Sequence, residues 1–186
     1  MNRLGTICLA AALALGGPAL AASKDEKKQE VRQTAQSTLD RLYKSQPKAK
    51  AAIERSAGYA VFSNFGMKIL VAGGGSGSGV AVNTKAKKET FMKMVEVQAG
   101  LGIGVKKFRL VWVFEKASDL DKFINSGWEL GAQATASAQM SGQGMEAYAG
   151  AMSISPGVWL YQLTDDGLAV ELTAKGTKYY KDSDLN

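Results

Sequence analysis

The sequence contains no histidine, one cysteine and three prolines in 186 residues. Without histidine there is no imidazole general base, no imidazole metal ligand and no imidazole pH switch near neutrality. The one cysteine, Cys8, lies in an N-terminal stretch that reads as a removable leader. The remaining chain is then expected to hold no disulfide, no thiolate nucleophile and no cysteine metal site. No apolar run reaches the roughly 20 residues that a membrane-spanning helix needs. Acid pairs exist, Asp119 with Asp121 and Asp165 with Asp166, but the first suits a helix start and the second a hairpin turn. A two-carboxylate hydrolase would need Glu129 or Glu171 in a cleft, and no spacing supports that. The expectation is a non-enzyme with no cofactor and no metal.

What is present is an ordinary globular composition, 46% apolar and 22% charged, at a length suited to one domain. Residues 1–21 have three parts. Arg3 supplies a positive start, Leu4 to Leu15 an apolar run, and Ala19-Leu20-Ala21 a small-x-small cleavage site after Gly16-Gly17-Pro18. The Gly5-Thr6-Ile7 lead-in to Cys8 is unlike that of a lipidated cysteine. The expectation is a signal peptide over 1–21 and an exported protein, in a bacterial periplasm and peripheral to a membrane. Charge is uneven beyond it: net +4 over 22–56, +6 over 57–110 and −5 over 111–186. A basic half points to an anionic partner. No nucleic-acid motif appears, which leaves a membrane surface or an acidic protein.

The apolar spacing of Val31, Ala35, Leu39, Leu42 and Tyr43 predicts a helix from about Glu26 to Tyr43. Pro47 suits the first turn of a short second helix, to about Ser56. From Tyr59 the period becomes two, and strands are expected in YAVFSNF, MKILVAG, SGVAVN, TFMKMVEVQ, AGLGIGV and FRLVWVFE. A further helix starts near Ser118 as N-cap and stops at Gly127. Alternation resumes over 128–140, and AYAGAMSIS, VWLYQLT and LAVELTA read as the last strands. The fold class is α+β: a mainly antiparallel, strongly curved or barrel-like sheet with an N-terminal helical segment and one further helix. The expected organisation is a signal peptide over 1–21, a lead-in and amphipathic helix over 22–44, and one domain over 45–186.

Two glycine sets alternate, Gly75, Gly77 and Gly79, then Gly100, Gly102 and Gly104. In a strand each set lies on one face. A bare face means a close neighbour or a sharp bend, and the alanines of 132–138 point the same way. Neither run is a phosphate loop: Ser78 stands where the dinucleotide pattern needs glycine, and no Lys-Ser/Thr follows. An outer-membrane barrel would need aromatic girdles that these strands lack.

The ordered series Gly58-Tyr59-Ala60-Val61-Phe62, then Gly73 through Val80, then Gln98 through Gly104, then Phe123 with Trp128-Glu129-Leu130-Gly131-Ala132 resembles the SYLF lipid-binding domain in its short secreted bacterial form. It covers about 45–175. Ser63, Ala138-Gln139-Met140 and Ala169 depart from that family's usual residues at turns. The resemblance implies binding of anionic phospholipid, and for an exported protein phosphatidylglycerol, cardiolipin or lipopolysaccharide. Two basic clusters are the candidate lipid-binding residues: Lys85, Lys87 and Lys88, and Lys106, Lys107 and Arg109. A chain reversal near Gly100 is expected to bring both to one end of the sheet. The alternative is a structural or protein-interaction component of the cell envelope. Oligomeric state is left open.

Overall fold

The computed structural model describes residues 23–69, 72–99, 104–130, 148–164, 167–169 and 176–186. Helix α1 (Lys24–Ser45) begins two residues before the expected start. Ser23 forms a capping box with Glu26: its side chain accepts the Glu26 N–H, and the Glu26 carboxylate accepts the Ser23 N–H. These bonds hold the Glu26 carboxyl below its ordinary value. Helix α2 (Pro47–Arg55) follows with proline in its first turn. Helix α3 (Ala117–Asn125) starts one residue before Ser118 and has no side-chain cap. Gly127 follows it at φ +69°, the left-handed conformation that lets the chain leave the helix.

Nine strands form one antiparallel sheet among the described residues. They are β1 (Gly58–Ile69), β2 (Ala72–Asn83), β3 (Lys88–Ala99), β4 (Gly104–Phe114), β5 (Trp128–Leu130), β6 (Met152–Ser155), β7 (Val158–Thr164), β8 (Gly167–Ala169) and β9 (Thr177–Lys181). The order is β5-β9-β3-β2-β1-β4-β7-β6, with β8 beside β7. The fold is the expected α+β arrangement. Gly66 does not divide β1, so YAVFSNF and the start of MKILVAG are one strand, and Gly66 pairs with Gly75 and Lys106 within the ladder. Strand β9 goes beyond the expectation, which ended with LAVELTA. AYAGAMSIS shortens to β6. Residues 100–103, 131–147 and 170–175, which hold Gly100, Gly102, the alanine face and most of LAVELTA, lie outside the described residues.

Side-chain contacts show the curvature directly. Trp112 of β4 and Tyr179 of β9 lie four strands apart in the sheet, about 19 Å if it were flat. Their ring centroids are 5.3 Å apart. The sheet therefore curls, and its concave face encloses a core of Phe62, Met92, Met94, Trp112, Phe114 and Tyr179, closed by Leu120 and Phe123 of α3. Phe62 and Phe123 meet edge-on at 6.1 Å. Each such buried ring contributes about 2–3 kcal/mol. The glycines make the curl possible. Gly77 and Gly79 point into the concave side, where Met94 and Phe62 fill the space their side chains would take. Across the same strip Asn64 of β1 donates to buried Glu96 of β3 at 2.7 Å. Gly75 and Gly77 of the intervening strand pair with Glu96 and Asn64, so no side chain blocks that bond.

The convex face carries a second core. Val61, Val80, Phe91, Val111, Val113 and Tyr161 pack against Ala35, Leu39 and Leu42 of α1 and Ala52 and Ile53 of α2. The apolar stripe of α1 thus belongs to the domain core.

Candidate functional site

Coverage of the convex face is uneven. The second half of α1 is buried through Ala35, Thr38, Leu39 and Leu42, while most of its residues 24–34 stay exposed. Under that exposed half lies a groove of about 920 Å³. Strand alternation builds its floor. Arg109, Ser63, Ser78, Lys93 and Tyr180 stand side by side on β4, β1, β2, β3 and β9 in one cross-strand row. Two residues along, Lys107, Ser76 and Val95 occupy the neighbouring row. Lys24, Lys27 and Glu30 of α1 face this floor, and Asp182 and Asp184 close one side.

Five cations thus meet three serine hydroxyls and three carboxylates. Ammonium, guanidinium and hydroxyl groups all donate to anionic oxygens, and charge-assisted bonds are the strong ones. Lys93 is engaged already, with Asp182 at 3.0 Å and Asp184 at 3.2 Å. Hydrogen bonds to Asp182 and then Asp184 raise its pKa. Lys107 and Arg109 have no carboxylate within ion-pair distance among the described residues. At one edge of the floor, Val95, Val97 and Tyr180 are 37%, 67% and 36% exposed. A basic groove therefore carries an apolar margin. Among the described residues no helix is long and apolar enough to cross a membrane.

The sequence-derived clusters separate here. Lys107 and Arg109 lie in the groove. Lys106 precedes Lys107 on β4, opposite Gly66. Lys85, Lys87 and Lys88 are exposed at the β2–β3 turn, where Lys88 pairs with Asn83 and Asn83 with Gly58. Arg109 and Lys107 pair with Ser63 and Phe65, five and seven residues further along β1. That is about 17–23 Å, so the expectation that both clusters share one end is wrong. The chain does reverse between β3 and β4, but at the far end of β3, which carries the second cluster away from the first. Between them, Arg32 pairs with Glu89 at 2.8 Å and stands over the Phe91 ring at 5.1 Å.

Sequence reasoning missed Lys24, Lys27, Lys93 and the serines. A usable signal was present: Ser76 and Ser78 alternate with the glycines, and Lys93 alternates with Met92 and Met94. Small or apolar residues on one face leave hydroxyls and a cation on the other.

Residues 95–186 match the family model described as Ysc84, Las17-binding protein actin regulator. Over 154 residues, 81% of the chain, the sequence is 34% identical to beta cell expansion factor A of Aeromonas veronii. The aligned stretch covers 56% of that protein, so the chain spans little more than half the length of this relative. The motif series, the curled sheet and these similarities agree: the chain belongs to the SYLF family, a family of lipid-binding domains.

Proposed function

We propose that the groove between α1 and the convex face holds the head group of an anionic phospholipid, with Val95, Val97 and Tyr180 meeting the lipid interface. The observation that carries this reading is the row Arg109–Ser63–Ser78–Lys93 beside Lys107, roofed by Lys24 and Lys27. Near an anionic surface each such cation contributes about 1 kcal/mol. We further propose that the protein is exported to a bacterial periplasm after cleavage before Ala22, which would leave the Ser23 cap and α1 intact. Phosphatidylglycerol and cardiolipin are then the fitting lipids. The protein acts by binding, without catalysis.

Co-sedimentation with phosphatidylcholine vesicles carrying a rising share of phosphatidylglycerol tests this. Binding should rise with the anionic share and weaken as salt screens the surface. Equal binding to pure phosphatidylcholine, or none to any vesicle, would overturn it, and the second result would favour a protein-interaction role in the envelope. Intact mass of the exported protein checks the cleavage site; retention of 1–21 would contradict it.

A further inference from the structure

The groove contains an anion of the protein's own. After β9 the chain turns over Asp182–Asn186 and is pinned at both ends. The Asp182 N–H donates to the Phe91 carbonyl at 3.0 Å. The Asn186 side chain accepts from the Phe91 N–H at 3.0 Å and donates to the Phe91 carbonyl at 2.7 Å, so it continues the β3 ladder. Leu185 is buried in the convex core. Asp182 is itself buried, and its carboxylate accepts the Asp184 N–H at 3.0 Å. Asp184 differs. Its side chain is 75% exposed, and it accepts a hydrogen bond from Lys93 at 3.2 Å. The fixed turn therefore holds an exposed carboxylate, beside buried Asp182, over Lys93, a floor cation that is already paired.

We infer that Asp184 is an internal counter-anion of the groove, which competes with a lipid phosphate for Lys93 and so sets how anionic a surface must be before the protein binds. This rests on the groove being the lipid site. A single phosphate entering over Lys93 exchanges one anion for another and gains little there. Its net gain comes from Lys107 and Arg109. Sparse anionic lipid is thereby discriminated against, and dense anionic surface is favoured. Asp182 cannot play this part, because it is buried and holds the turn.

The test is a double-mutant cycle in the full chain, read by co-sedimentation with phosphatidylcholine vesicles containing phosphatidylglycerol. Asp184→Asn leaves Lys93 with Asp182 as its one carboxylate partner among the described residues. It should bind more tightly, by at most about fivefold, the worth of one cation at an anionic surface, and should half-saturate at a lower phosphatidylglycerol share. In a Lys93→Gln background the same substitution should change nothing, because Asp184 then has no cation to compete for. Asp121→Asn, which removes a carboxylate on α3 outside the groove lining, should leave binding unchanged. Asp184→Asn should melt like the wild type, since the Asp184 side chain is exposed. Lys93→Gln takes the ammonium partner from buried Asp182 and should melt lower, so circular dichroism checks that it is folded at the temperature of the binding measurement. Unchanged or weaker binding by Asp184→Asn overturns the inference. So does a gain that persists in Lys93→Gln or appears in Asp121→Asn, since either would reflect net charge alone. If the wild type and every variant fail to bind, the groove reading itself falls, and the inference with it.

Discussion

Gly79 has no room for a side chain: a Cβ there would overlap the Phe62 ring and the Val61 carbonyl. At Gly77 it would meet the Ser63 carbonyl and lie 2.8 Å from Met94 Cγ. The neighbours are backbone and packed core, so neither can yield cheaply. Gly77→Val and Gly79→Val should each cost about 2–3 kcal/mol, read as a large drop in melting temperature. A melt near that of the wild type would show the concave face to be open. Asn64→Leu should cost about 1–3 kcal/mol, because it takes away the Asn64 amide that buried Glu96 accepts from; denaturant titration checks this. The glycine face was legible because alternation is a local pattern. The Asn64–Glu96 bond was not, because it joins residues 32 apart across a strand whose only contribution is having no side chain there. Lys93 was hidden for a related reason: its meaning depends on Ser78, Ser63 and Arg109, brought beside it by register alone.

Helix α1 was legible as an element, from its apolar stripe and its polar opposite face. Its role as a roof was not, since periodicity says which face is apolar and nothing about how much of the helix has a partner beneath. Ser23→Ala removes the capping side chain and should cost about 1 kcal/mol, seen as a lower denaturation midpoint. Strand β9 was missed because the expected strands end at LAVELTA and its own alternation is short. Only Thr177 and Tyr179 face inward, and two positions make a faint alternation. The inward tyrosines give the elements an alkaline limit. Burial pushes the Tyr43, Tyr148 and Tyr161 hydroxyls up to about 12, and Tyr179 higher still. A raised folded value means that the unfolded chain releases these protons first. Their stabilisation is complete below pH 10 and is lost as pH rises towards 12, at about 1.4 kcal/mol per pH unit for each tyrosine. Tyrosinate absorbance should therefore rise cooperatively, together with loss of circular dichroism. A gradual rise near pH 10 with the fold intact would contradict the burial.

For the whole molecule, the basic first half and acidic second half were legible as a charge imbalance, and the SYLF motif series as a framework. The placement of charge was not: the chain does reverse between β3 and β4, but Lys106, Lys107 and Arg109 follow that reversal directly while Lys85, Lys87 and Lys88 stand at the opposite end of β3. That geometry separates two basic regions by about 17–23 Å, beyond the roughly 8 Å Debye length at physiological salt. They should therefore act independently, and only one of them lines the groove. The most direct measurement compares two full-length variants by co-sedimentation with phosphatidylglycerol vesicles at physiological salt, with circular dichroism confirming that both are folded. Lys107→Gln with Arg109→Gln should lose about 2 kcal/mol, roughly thirtyfold in affinity. Lys85→Gln, Lys87→Gln and Lys88→Gln together should lose less than about threefold, since the turn lies outside the groove lining. If the turn variant loses as much as the groove variant, or the groove variant keeps wild-type affinity while folded, the head group does not sit between α1 and the convex face.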